Sequence, residues 1–181
     1  MIGIDLSDDG IRDIYTRAAE RFPSGSTFVE LGSLYGASSI YLAQEIKRVE
    51  KNIKVYAVDL WEGFIHDTKF EGNFFHLFWQ NVIDAGCEKI IIPICLDSSS
   101  AAYGFNDKTV DLIYIDANHD YEPCKKDILN WLPKLREEGW IGGHDYHYHV
   151  KKIVDELFTT VEQVRDTSWL VKNPTWYRVI L

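Results

Sequence analysis

Apolar positions along this chain follow two periods, one that suits amphipathic helices and one that suits buried strands. Ile11, Ile14, Tyr15 and Ala18 form one stripe behind Ser7, Asp8 and Asp9, which reads as a capped helix ending near Arg21-Phe22-Pro23. Ser24-Gly25-Ser26 makes a turn, and Thr27 to Leu31 reads as a first strand. The segment Gly32 to Gly36 leads into a helix from Ser38 that turns Ile40, Ala43, Ile46 and Val49 inward. Further apolar runs predict strands at Val55–Leu60, Ile90–Leu96 and Val110–Ile115, with a helix carrying Phe75, Phe78, Trp79 and Val82 before the third. Tyr121 to Arg136 is the clearest helix, with Tyr121, Cys124, Ile128, Leu132 and Leu135 aligned and the charges opposite. Trp140 to Gly143 leads into a fifth strand ending at His144-Asp145. Val150 to Phe158 is a last helix, and 161–181 reads as two or three strands turning at Asn173-Pro174.

Strands without strict alternation, separated by helices, predict a mostly parallel sheet covered on both faces. No repeat, low-complexity tract or linker interrupts the pattern, so 1–181 reads as a single α/β domain. Within it, 1–25 carries the N-terminal helix and 61–79 an aromatic loop and helix.

Composition narrows the partners. Twenty-eight acids against nineteen Lys and Arg give a net charge of -9, which leaves no global basic field for phosphate backbones and argues against nucleic acid. The 46% hydrophobic and 14% aromatic content is too high for a disordered chain. No run approaches the roughly 18 apolar residues of a membrane span, and the opening MIGIDLSDDGIRD has neither a basic nor a long apolar leader region. Cys87, Cys95 and Cys124 are scattered, with no C-x-x-C, which suits reduced and mostly buried thiols. A cytoplasmic protein is expected.

The chemistry gathers where the strands end, which is where open α/β sheets bind ligands. The five strand ends carry Glu30 and Gly32; Asp59 and Trp61; Asp97 and Ser98; Asp116, Asn118 and His119; and His144, Asp145 and Tyr146. Caps and turns would explain one such end, but five in succession point to a site. Gly32 and Gly36 allow a tight turn and close approach to a ligand, yet their G-x-x-x-G spacing is not the dinucleotide G-x-G-x-x-G, and no phosphate-binding G-x-x-x-x-G-K-[ST] is present. Asp59 can bind both hydroxyls of a ribose and Asp97 can accept from an adenine amine, so together these ends describe an adenosine site.

The blocks VELGSLYGASS (29–39), VYAVDLWEG (55–63), CLDSSSAA (95–102), VDLIYIDANHDYEPCKKDILNWLPKL (110–135) and GGHDYH (142–147) carry a family resemblance. The chain resembles a class I S-adenosylmethionine (SAM)-dependent methyltransferase, of the small branch related to macrocin-type, glycan-associated O-methyltransferases. The resemblance implies a Rossmann-like, doubly wound, seven-stranded sheet of order 3-2-1-4-5-7-6. It implies that Glu30, Gly32 and Gly36 hold the methionine end of SAM, Asp59 the ribose, and Asp97 and Ser98 the adenine, with Trp61 lining the pocket. It places the fourth and fifth strands side by side, about 4.8 Å apart, so that Asp116, His144 and Asp145 could hold a divalent cation such as Mg²⁺. His119 is then the base for an acceptor hydroxyl, with Asp116 and Asp145 in support. His144-Asp145 stands where two acids are common in that branch, and Ala117-Asn118 where Gly-Asp is common. The acceptor implied is a sugar or glycan-linked small molecule.

Three further expectations follow. His144, His147 and His149 read better as separate side chains than as a three-histidine metal site, because a strand would turn His144 away from the other two. The loop with Phe64, His66 and Phe70 is the expected lid. The C-terminal hairpin ending Trp176 to Leu181 would cover a sheet edge or make a homodimer contact. Two other classes share the fold: a nucleotide-dependent oxidoreductase, against which the missing third glycine counts, and a non-catalytic SAM- or sugar-binding module.

Overall fold

The structure is a computed structural model that describes residues 9–65 and 70–174. Its elements are α1 (Asp9–Arg21), β1 (Thr27–Leu31), α2 (Ala37–Arg48), β2 (Lys54–Asp59), β3 (Glu62–Ile65), β4 (Phe70–Asn73), α3 (Phe75–Asp84), β5 (Ile91–Cys95) and α4 (Ser98–Ala101). They continue with β6 (Val110–Ile115), α5 (Tyr121–Trp131), β7 (Leu135–Gly143), α6 (Tyr148–Leu157), β8 (Glu162–Val164) and β9 (Ser168–Lys172).

Seven strands form one sheet in the order β5-β2-β1-β6-β7-β9-β8. The first five are parallel; β9 runs antiparallel to β7, and β8 antiparallel to β9. With the separate β3–β4 hairpin left out of the count, this is the expected order 3-2-1-4-5-7-6.

Strand alternation sorts the core into two layers. Phe28, Val55, Ala57, Leu112 and Tyr114 face α1, α2 and α3, where they pack with Ile14, Tyr15, Ile40, Ile46 and Phe78. Val29, Leu31, Val58, Ile113 and Ile115 face α5 and α6, against Ile128, Trp131, Ile153 and Val154. Both faces are therefore covered, which is why these strands read as continuous apolar runs.

Four local expectations are corrected. The helix from Tyr121 stops at Trp131 rather than at Arg136, because Pro133 has no N–H to donate and the chain tightens into a 3₁₀ turn at Leu132–Lys134. Leu135 then pairs with Val110, and a register shift separates that pair from Leu112 with Trp140, so β7 starts earlier than its apolar run. The segment after Trp61 forms the β3–β4 hairpin instead of an open loop. His147 and His149 lie at the start of α6, not on a strand.

His66 falls outside the described residues, as does the C-terminal segment 175–181 on which the dimer expectation rests. Cys87 and Cys124 are buried and Cys95 is exposed, all as free thiols. Among the described residues no helix is long and apolar enough to cross a membrane.

Candidate active site

β1 delivers the chain into a turn that only glycine at two positions allows. Gly32 (φ 85) and Gly36 (φ 86) both lie in the left-handed region. A Cβ at Gly32 would also press into the backbone carbonyl of Asp116, 2.6 Å from its carbon. Gly36 caps the N-terminus of α2 without a side-chain hydrogen bond. Asp59, at the end of β2, shapes the same turn: its Oδ2 accepts from the backbone N–H groups of Ser33 and Leu34, each at 2.9 Å. Its Oδ1 accepts from the N–H of Trp61 at 2.8 Å.

Two residues expected at the ligand are buried beneath the turn. Glu30 lies within β1 and is buried, its Oε1 taking the Tyr15 hydroxyl at 2.7 Å. Its Oε2 takes the hydroxyls of Ser33, at 2.8 Å, and Ser39. Burial pushes the Glu30 carboxyl up, and the hydroxyls of Ser39, Ser38, Tyr15 and Ser33 pull it part of the way back. Glu30 therefore braces the turn from below. Trp61 is likewise fully buried, packed on Phe75 and Phe78, with its indole N–H donating to the Leu34 carbonyl at 2.9 Å. It belongs to the core and anchors the turn; it does not line an open pocket.

Beyond β5, Asp97 is exposed and caps the short α4, its Oδ1 accepting from the N–H and hydroxyl of Ser100. The Ser98 hydroxyl donates to Asp127 at 2.7 and 2.8 Å, and that of Ser99 at 3.0 Å. Asp127 thus fixes the loop from α5. In the sequence Asp127 lies within the 110–135 block without an assigned role; the three adjacent serines 98–100 were the available signal.

Three leucines were also missed. Leu34, Leu60 and Leu96 are 45, 50 and 49% exposed. Each sits just past the end of one of the neighbouring strands β1, β2 and β5. They are apolar residues in otherwise polar turns, a signal the sequence already held.

The second group of residues sits past β6 and β7, whose ends are paired through Ile115 and Gly143. His119 reaches back between two carboxylates: Nε2 is 3.2 Å from Asp116 Oδ1, and Nδ1 is 3.0 Å from Asp145 Oδ2. His144 Nδ1 lies 3.5 Å from Asp116 Oδ1 and 3.3 Å from Asp145 Oδ1. Asp145 adopts a left-handed φ of 52, unusual for a residue with a side chain.

Burial pushes the Asp116 carboxyl up, but hydrogen bonds from His119 and His144 outweigh it and hold the group below its ordinary value. The hydrogen bond to Asp116 raises His119, against an opposing push from burial. The expected site thus comes together, with one change. The ligand atoms that converge are those of Asp116, His119 and His144, all within 4.8 Å of one another, while Asp145 lies against both imidazoles, 3.0 Å from His119 Nδ1 and 3.3 Å from His144 Nδ1.

A family described as a methyltransferase domain matches residues 29–146. The uncharacterised protein y4gI of Sinorhizobium fredii is 29% identical over 119 residues, covering 65% of this chain and only 13% of its own length. The chain therefore spans about an eighth of that relative. The structure of the O-methyltransferase NovP matches with a TM-score of 0.75 at 14% identity, over 92% of this chain and 80% of NovP. That of CalS11, a TDP-rhamnose 3′-O-methyltransferase of calicheamicin biosynthesis, matches at 0.68 and 14% identity, over 89% and 76%. At such identities the structural likeness is one of fold.

Proposed function

The chain belongs to the methyltransferase-domain family, and from that premise we propose that it methylates a hydroxyl of a sugar or glycan-linked small molecule. Membership supports a SAM-dependent enzyme; that activity, the acceptor and the roles of individual residues are the proposal. One observation carries it. A glycine turn shaped by Asp59 and a carboxylate–histidine cluster at Asp116, His119 and Asp145 lie at the same edge of the sheet, and Gly32 packs against the Asp116 backbone.

The residues present fit SAM. The N-terminus of α2, capped only by Gly36, offers backbone N–H groups to the methionine carboxylate. Asp59 keeps acceptor capacity on Oδ1 for ribose hydroxyls beyond the bond from Trp61. The exposed faces of Leu34, Leu60 and Leu96 suit an adenine ring, and Asp97 supplies an acceptor at its edge. SAM supplies an electrophilic methyl group on a sulfonium sulfur.

Methyl transfer forms a bond from the acceptor oxygen to the methyl carbon as the carbon–sulfur bond breaks toward sulfur. The protein must align these atoms and remove the hydroxyl proton. His119 was the expected base, with Asp116 and Asp145 in support. Both its ring nitrogens are engaged by carboxylates, so the proton passes instead to the Asp116–His119–Asp145 unit, through an exposed carboxylate oxygen of that unit. Mg²⁺, expected on Asp116, His144 and Asp145, does not fit the observed donors. It prefers oxygen ligands, and two of the three converging groups are imidazoles. No step is routed through it.

The CalS11 acceptor, a sugar nucleotide, supports the choice of sugars, and the net charge of -9 supports a small acceptor over a nucleic acid. The test is methyl transfer from labelled SAM to a panel of sugar nucleotides, oligosaccharides and a structured RNA. Alkali-stable label on a sugar is the expected result. Label on RNA alone would overturn the acceptor class. SAM binding without transfer to any hydroxyl would favour the non-catalytic module.

A further inference from the structure

We propose that Asp116, His119 and His144 form a three-ligand site for a first-row divalent cation with nitrogen affinity, of the Fe²⁺, Co²⁺ or Zn²⁺ kind, in place of Mg²⁺. The inference deepens the reading of the acceptor side of the proposed site and rests on it for catalytic meaning, but the binding itself can be tested without methyl transfer.

Donor chemistry is the first ground. Two imidazoles and one carboxylate match borderline transition ions, whereas Mg²⁺ seeks an oxygen octahedron. Distance is the second. Ligand atoms about 2.0–2.1 Å from a tetrahedral ion stand roughly 3.3 Å apart. Asp116 Oδ1 is 3.2 Å from His119 Nε2 and 3.5 Å from His144 Nδ1. The His119 and His144 ligand atoms lie within 4.8 Å of each other, so one ion can meet all three once the two rings draw together.

The third ground lies on the far side of His119. Its Nδ1, the nitrogen turned away from Asp116, is 3.0 Å from Asp145 Oδ2. A carboxylate in that position fixes the tautomer and ring orientation of a ligating imidazole. The backbone adds rigidity, because Asp116 and His144 each follow the last pair of the β6–β7 ladder, Ile115 with Gly143. Side-chain exposures of 25% for Asp116, 39% for His119 and 22% for His144 leave the cluster open to solvent, so an ion can enter and a fourth ligand can come from outside the chain.

The test is titration of the chelator-stripped full chain with Co²⁺, read by visible absorption, followed by competition with Zn²⁺ and Mg²⁺. One equivalent of Co²⁺ should develop ligand-field absorption that Zn²⁺ abolishes and a hundredfold excess of Mg²⁺ leaves intact. His144→Ala and His119→Gln should each weaken Co²⁺ binding by more than a hundredfold, and Asp145→Asn by about ten- to a hundredfold. His147→Ala should bind as wild type does. Circular dichroism melting confirms that each variant folds, and a variant that does not is replaced by Asp116→Asn.

Absence of the Co²⁺ band, displacement by equimolar Mg²⁺, or unchanged binding in the His119 and His144 variants would overturn the proposal. Metal binding in a protein that transfers no methyl group would count against the proposed function alone.

Discussion

Gly32 packs its α-carbon against the backbone carbonyl of Asp116, so the turn that follows β1 and the start of the loop after β6 share one surface. The glycine turn and the carboxylate–histidine cluster are thereby held in a fixed relation through backbone.

Replacement of Gly32 by Ala should therefore damage both stability and binding. The residue has φ 85, and a Cβ would meet the Asp116 carbonyl. Strain at that φ together with a backbone collision predicts a loss of more than about 2 kcal/mol. Urea unfolding measures it, and a change within about 0.5 kcal/mol of wild type would contradict the close approach.

Tyr15→Phe removes one of the hydroxyls that hold the buried Glu30 carboxylate. A hydrogen bond to a buried charged group predicts a loss of roughly 1.5–3 kcal/mol. Because Ser33 and Ser39 remain bound to Oε2, the turn itself should persist. Weaker SAM binding by no more than about tenfold, or about 1.4 kcal/mol, is the expected companion result in a calorimetric titration. Complete loss of binding would show that Glu30 touches the ligand after all.

Glu162 ties β8 to α1 and β9, 2.8 Å from both Arg17 and Lys172. The hydrogen bond from Arg17, with that from Lys172, holds its carboxyl down at about 2 against an ordinary 4.5. A depressed acid adds stability above its unfolded value and loses it as pH falls through the folded one, here from 4.5 toward about 2. Glu162 is 43% exposed, so screening limits the contribution to less than about 1 kcal/mol. Wild type should exceed Glu162→Gln near pH 6 in urea midpoint, with the gap narrowing on acidification and at high salt. A gap that widens toward acid pH would reverse the assignment.

Much of this was legible in the sequence. The five parallel strands and the glycine turn follow from apolar runs and motif order, because strands buried on both faces leave an unmistakable trace; the sheet order came from the family resemblance. Direction of side chains was less legible. Glu30 and Trp61 sit at strand ends like Asp59 and Asp116, yet one is turned into the core by Tyr15 and its serines and the other by the aromatic layer of α3. A terminal position tells which edge of the sheet a residue occupies, not which side of the turn it faces. The early start of β7 escaped for a similar reason: Arg136, Glu137 and Glu138 are exposed, and their polarity resembles a helix surface. The pairing of His119 with both Asp116 and Asp145 depends on the turn before α5, whose shape no residue spacing specifies.

The central claim divides the site into a SAM half at Asp59 and a proton-removing half at Asp145. Calorimetric titration of SAM into wild type, Asp59→Ala and Asp145→Ala tests that division most directly. The account predicts that Asp59→Ala abolishes binding, since it removes both the support of the Ser33–Leu34 turn and the ribose acceptor, whereas Asp145→Ala binds SAM as wild type does. Undiminished binding by Asp59→Ala, or its loss in Asp145→Ala alone, would contradict it.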